Sequence, residues 1–174
     1  GATPILKKGA PNVSKMTASV IIPDRDRMKV EVTDVKYKEY EDIEIAPSKG
    51  NLSREVDPDE VPYEYGKEYE KDAFYPAEEA MLRDPYILRD YRGQTIVVHP
   101  FRYNPVSKTL RVYHEMTVKI TSTGEMGENQ LTRKKELTSV DPEFQNIYNY
   151  HFLNSENNSR YDPVEEEGSM LIIA

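Results

Sequence analysis

His99, His114 and His151 are the three histidines of this chain, and it has no cysteine. A His/His/carboxylate metal site would need them to converge, but no HExxH or comparable ligand spacing occurs. His99 and His114 fall on strand-like patterns and His151 on a helical apolar stripe, so all three read as partly buried structural residues. No metal or cofactor is expected. The missing cysteine removes thiolate nucleophiles, thiolate metal sites and redox dithiols. Serine catalysis lacks a G-x-S-x-G elbow, and none of the eight glycines lies in a phosphate loop. Paired carboxylates are available in any chain with 31 acids, but nothing marks a concave site to hold them. Two arginines remain. Arg54 lies in Asn51-Leu-Ser-Arg-Glu-Val-Asp-Pro58 and is the only basic residue between Lys49 and Lys67; Arg160 lies in Asn157-Asn-Ser-Arg-Tyr-Asp-Pro163. A solvated surface role is the ordinary one for both. An arginine on backbone free to extend is also what a trypsin-like specificity pocket requires.

The elements that must position these residues are mostly strands. Leu110, Val112, His114, Met116, Val118 and Ile120 alternate with mainly polar residues over 109–121, predicting a half-buried strand. A second strand is predicted over 94–101, joined to the first as an antiparallel hairpin through the Asn104-Pro105 signal. Alternation at Met16, Ala18, Val20 and Ile22, and at Met28, Val30 and Val32, predicts two more strands, with Glu44-Ile-Ala46 a weaker one. Phe144, Ile147, Tyr148 and His151 have helical spacing behind Asp141-Pro142, an N-cap and first-turn proline. Residues 154–159 contain no apolar side chain and read as an exposed, mobile linker; Met170-Leu-Ile-Ile-Ala174 beyond it reads as the start of a buried strand.

Charge is unevenly distributed. The net charge is −8, and residues 51–80 alone carry ten acidic and three basic residues, a net −7. That segment holds Tyr63, Tyr65, Tyr69 and Tyr75 together with Pro58, Pro62 and Pro76 and shows neither period, so it reads as a long acidic loop. The acidic balance argues against nucleic acid as partner. No apolar run approaches the roughly 20 residues of a membrane-spanning helix.

Several stretches then carry a resemblance in order along the chain: Met28-Lys-Val-Glu-Val32, Ile45-Ala-Pro-Ser-Lys-Gly50, Ser53-Arg54, Tyr86-Ile-Leu-Arg-Asp90, Arg92-Gly-Gln94, Tyr103-Asn-Pro105 and Lys108-Thr-Leu-Arg-Val-Tyr113. They resemble the prodomain of the gingipains, secreted cysteine peptidases of family C25, most nearly the arginine-specific branch. Arg160-Tyr-Asp-Pro-Val-Glu-Glu-Glu167 with Met170-Leu-Ile-Ile173 is similar to the junction between prodomain and mature enzyme. The resemblance implies a mostly β, antiparallel β-sandwich-like prodomain over 1–153, with one short C-terminal helix and the long acidic loop. It implies a linker over 154–160 ending at the maturation cleavage site Arg160-Tyr161, and the start of a catalytic domain over 161–174. It also implies a non-enzymatic inhibitor and folding aid whose partner is its gingipain-like catalytic domain. Arg54, flanked by Ser53 and Glu55, would occupy the S1 pocket. An exported setting follows, whether periplasm, outer-membrane surface or extracellular space, with the domain a monomer on its own. The alternative is a β-sandwich binding module, adhesin-like or carbohydrate-binding, whose Tyr63, Tyr65, Tyr69 and Tyr75 stack on sugar rings. A carboxylate hydrolase is more distant.

Overall fold

Period-two alternation of apolar and polar residues sets strands, and the computed structural model, which describes residues 1–135 and 137–155, is mostly β. Its elements are β1 (Thr3–Pro4), β2 (Ser14–Ile21), β3 (Asp26–Tyr40), β4 (Ala80–Leu82), β5 (Tyr86–Leu88), β6 (Tyr91–Val98), β7 (Phe101–Asn104), β8 (Thr109–Met126) and α1 (Pro142–His151), with 3-10 turns at Pro58–Glu60 and Lys67–Glu70. One sheet runs β1-β2-β6-β4 with β5 also on β6; the other runs β3-β8-β7. The pairings of β1 with β2, β4 and β5 with β6, and β7 with β8 are antiparallel. The expected class is therefore present: two antiparallel sheets, one short helix and a long acidic connection between β3 and β4.

The described residues divide into two compact units, 1–17 with 29–83 and 96–121, and 18–28 with 84–95 and the described part of the chain from 122 to 155. In the first unit Ala10, Val13, Val97, Tyr103 and Tyr113 are buried. The β7–β8 hairpin closes as the Asn-Pro signal requires: Asn104 Oδ1 accepts from the Val106 and Ser107 amides at 3.1 and 3.3 Å, and Lys108 takes a left-handed φ of 52°. In the second unit Tyr91, Val140, Tyr148 and Phe152 form the core. Asp141 caps α1 by accepting from the Glu143 amide at 3.0 Å, with Pro142 in the first turn. Arg92, only 1% exposed, donates to the carbonyls of Pro23, Asp26, Glu128 and Asn129 at 2.5–3.0 Å. Four carbonyls compensate the guanidinium's loss of water. Gly93 next to it has no alternative, because a Cβ there would stand 2.6 Å from the Phe152 ring.

Several expectations change. The strand expected over 94–101 is split: β6 ends at Val98, and only Phe101 onward pairs with β8. Pro100 causes the break, since it has no amide for a ladder, and its carbonyl accepts from the Tyr113 amide at 2.9 Å. Glu44-Ile-Ala46 is not a strand. The chain there exchanges hydrogen bonds with residues 9–12, but its bridge is Pro11 to Pro47, and two prolines cannot extend a ladder. The alternation in β8 holds at Met116, Val118 and Ile120 but slips at Tyr113, which is buried while His114 is exposed. The Tyr113 hydroxyl explains this, donating to Glu79 at 2.8 Å and accepting from Arg102 at 3.1 Å. His151 is likewise exposed, its Nε2 2.7 Å from the Tyr86 hydroxyl. In α1 the stripe facing the core is Phe144, Tyr148 and Phe152, and Ile147 points outward.

Candidate functional site

The connection from 41 to 79 is held at both ends and bare in the middle. On its way out, the Ile43 amide donates to the Lys108 carbonyl at 2.9 Å, and Tyr103 and Tyr69 donate their hydroxyls to the carbonyls of Ile43 and Ile45 at 2.7 and 2.6 Å. Burial pushes the Tyr69 hydroxyl well above its ordinary pKa. The Gly9 amide then donates to the Ser48 carbonyl at 2.9 Å, and the Ser48 amide to the Ala10 carbonyl at 2.8 Å. Gly50 turns the chain away with φ 87°, a left-handed conformation that glycine adopts without strain.

The returning arm is gripped as firmly. Gly66 lies against Gly9, its amide 2.8 Å from the Gly9 carbonyl, and a Cβ there would come within 2.9 Å of that oxygen. Lys7 hydrogen-bonds Glu68 and holds its carboxyl below the usual range. Tyr75 and Tyr103 exchange two amide-to-carbonyl bonds of 2.8 Å. Arg102 donates to the carbonyls of Pro76 and Ala77 and to Glu79. His99, 5% exposed, has Nδ1 2.7 Å from the Glu78 carbonyl, and its burial lowers its pKa.

Between these arms residues 51–57 project. The Val56 amide donates to the Ser53 carbonyl at 3.1 Å, folding 53–56 into a turn, and the Glu55 amide lies 3.5 Å from Ser53 Oγ. Asp57 accepts from the Asp59 amide at 2.9 Å and starts the 3-10 turn at Pro58–Glu60. Lys49 clips the base, donating to the Pro58 carbonyl at 2.6 Å and lying over the Tyr63 ring at 4.4 Å. Arg54 sits in the turn, exposed, with no hydrogen bond, ion pair or ring contact among the described residues. Its neighbours Glu55, Asp59 and Glu60 form no ion pair among those residues either. The result is a guanidinium with all five N–H donors free on a loop with a fixed base.

Of the residues singled out from sequence, Ser53, Arg54 and Glu55 come together in this turn. Arg160 and Tyr161 lie outside the described residues. Asn154, counted into the linker by composition, is held instead: its side chain accepts from the Ile21 amide at 2.8 Å and donates to the Ile21 carbonyl at 2.9 Å, and Ser155 is buried. The tyrosines do not make a four-ring platform. Tyr63 and Tyr65 are exposed, but Tyr69 and Tyr75 are half-buried and committed to the base. Sequence reasoning missed Lys49 and Arg102, which hold the loop; the only available signal was a lone cation beside a long acidic segment. No cluster suited to a metal ion occurs among the described residues.

Comparison with known proteins identifies the family and the fold. The family model Propeptide_C25 matches residues 1–152. Gingipain R2 of Porphyromonas gingivalis is 44% identical over 171 residues, covering 97% of this chain and 23% of that protein. The chain thus spans about a quarter of the length of the curated relative it matches. Lys-gingipain of the same organism is 22% identical over 180 residues, covering all of this chain and 10% of that protein. The solved complex of P. gingivalis RgpB pro- and mature domains superposes with a TM-score of 0.82 at 42% identity, covering 90% of this chain and 77% of that one. A structure addressing zymogenic latency of gingipain K from P. gingivalis shares the fold, with a TM-score of 0.59 at 21% identity and 72% of each chain covered.

Proposed function

The chain belongs to the C25 propeptide family, and from that premise we propose that it inhibits an arginine-specific cysteine peptidase domain by placing Arg54 in the S1 pocket. The observation that carries this is the exposed Arg54 guanidinium, without a partner among the described residues, on a loop pinned at both ends. An S1 pocket selective for arginine presents an acidic group, and a carboxylate takes a guanidinium through paired, charge-assisted hydrogen bonds. The entropy of ordering the loop is largely met within the prodomain, which favours tight binding. No chemistry is required, since occupation of S1 excludes substrate. The same pairing supports a role as folding aid, because a partner that binds only the folded peptidase stabilises it by mass action. Cleavage after Arg160 ends the covalent connection, in the exported setting that the resemblance implies.

The test is inhibition of an arginine-specific gingipain by this chain and by Arg54→Ala. The substitution is expected to weaken inhibition by at least about tenfold, ~1.4 kcal/mol. Equal inhibition by both chains removes Arg54 from the mechanism.

A further inference from the structure

Resting on the inhibitory function just given, we propose that the outer face of α1 is a second docking surface for the same peptidase domain, independent of S1. Ile147, Tyr150 and Leu153 are 46, 96 and 75% exposed and follow one another at intervals of three. A single exposed leucine needs no explanation. Here, however, the whole stretch 144–155 contains no Asp, Glu, Lys or Arg, in a chain that is 31% charged. Depletion of charge around exposed aromatic and aliphatic side chains is the composition of an interface centre, while Asn146 and Asn149 supply a neutral polar rim.

These side chains stand on fixed backbone. Tyr148 and Phe152 on the inner face are 0 and 3% exposed, and the Tyr148 hydroxyl donates to Asp90 at 2.7 Å. The Leu153 amide donates to the Ser19 carbonyl at 2.9 Å, and Asn154 clamps Ile21 just beyond. Leu153 is therefore presented outward by an anchored chain, and little ordering cost remains for a partner to meet. Tyr150, nearly fully exposed, has no hydrogen-bond partner among the described residues.

Chain continuity names the occupant. Leu153 precedes Arg160 by seven residues, and at about 3.3–3.6 Å per residue that span reaches at most ~25 Å. A peptidase domain beginning at the proposed junction is thereby kept near the face at high effective concentration.

The experiment uses a gingipain whose active site is alkylated by an arginyl chloromethyl ketone, so that S1 is filled and Arg54 cannot enter. The wild-type chain is expected to retain measurable binding to the alkylated enzyme by calorimetry or surface plasmon resonance. Ile147→Gln/Tyr150→Gln/Leu153→Gln is expected to lose at least about thirtyfold in that affinity, and Tyr150→Gln alone about fivefold. Because Tyr150 is almost wholly in solvent, the single variant tests the surface even where the triple variant fails to fold. If the wild type inhibits active enzyme but does not bind the alkylated form, the second surface is wrong while the Arg54 mechanism stands. Absence of both sinks both. Sedimentation showing that the wild type dimerises through this face, with peptidase affinity unchanged in the variants, assigns the face to a second copy and overturns the proposal.

Discussion

Single residues divide here into those that hold and those that are held out. Arg92, Arg102 and Lys49 place their cationic groups on backbone carbonyls, and Arg102 adds Glu79. Arg54 is left without a partner among the described residues. Nothing in the composition separates these cations, because surroundings and not residue type decide the role. His99 gives a measurable consequence at this scale. It is buried against the Glu78 carbonyl; burial is the main cause of its lowered pKa, the charges of Arg102 and Lys15 add to it, and the hydrogen bond to Glu78 and the Glu78 charge oppose it without reversing it. The folded form therefore takes up its proton at lower pH than the unfolded form, whose imidazole titrates near 6.5. Above that value the residue contributes nothing to the pH dependence of stability. As pH falls through it, stability drops, by no more than about 1.4 kcal/mol per pH unit for one proton. Urea melts at pH 7.5 and 5.5 should show that His99→Gln loses less stability on acidification than wild type. Parallel losses would show that His99 is not the group responsible.

At the scale of elements, the acidic connection divides into a pinned base and a turn. Substrates enter peptidase clefts extended, whereas 53–56 is folded by the hydrogen bond from Val56 to Ser53. Pro58 begins the next turn with its carbonyl tied to Lys49. A scissile bond held off the line of attack reacts slowly even when its side chain is correctly bound. Arg54-Glu55 should therefore be cut at least about tenfold more slowly than Arg160-Tyr161 by an arginine-specific gingipain, as followed by mass spectrometry. Lys49→Ala, which releases the clip, should accelerate cleavage at Arg54-Glu55. Equal rates at the two bonds would mean that the turn offers no protection. Other elements were legible to different degrees. The capped helix could be read because Asp141, Pro142 and the Phe144–Tyr148 spacing are local signals. The end of β6 could not be read from Pro100 alone, since proline is also tolerated at sheet edges, and only the pairing of Phe101 with Val112 shows where the chain changes sheets.

Across the whole molecule, charge is the property that survives from composition to function. Seven of the eight net negative charges fall in 51–80, where Glu64 and Glu68 pair with Lys8 and Lys7 while Glu55, Asp59 and Glu60 beside Arg54 stay unpaired among the described residues. An acidic field around the loop steers encounter with a basic surface, an effect that salt screens. Association with the peptidase should slow by about fivefold or more between 0.05 and 0.5 M salt, with dissociation changing much less. A salt-independent on-rate in stopped-flow measurements would confine the acidic residues to solvation. The sequence by itself determined the β class, the short capped helix, the acidic segment and the arginine at its start, because alternation, caps and charge are written in neighbouring residues. Only the tertiary structure decided that Tyr113 turns inward, that His114 stays in solvent, and that Arg92 and Arg102 are clamps while Arg54 has no partner among the described residues. Those outcomes depend on carbonyls and carboxylates tens of residues away, and no local pattern encodes such long-range pairing.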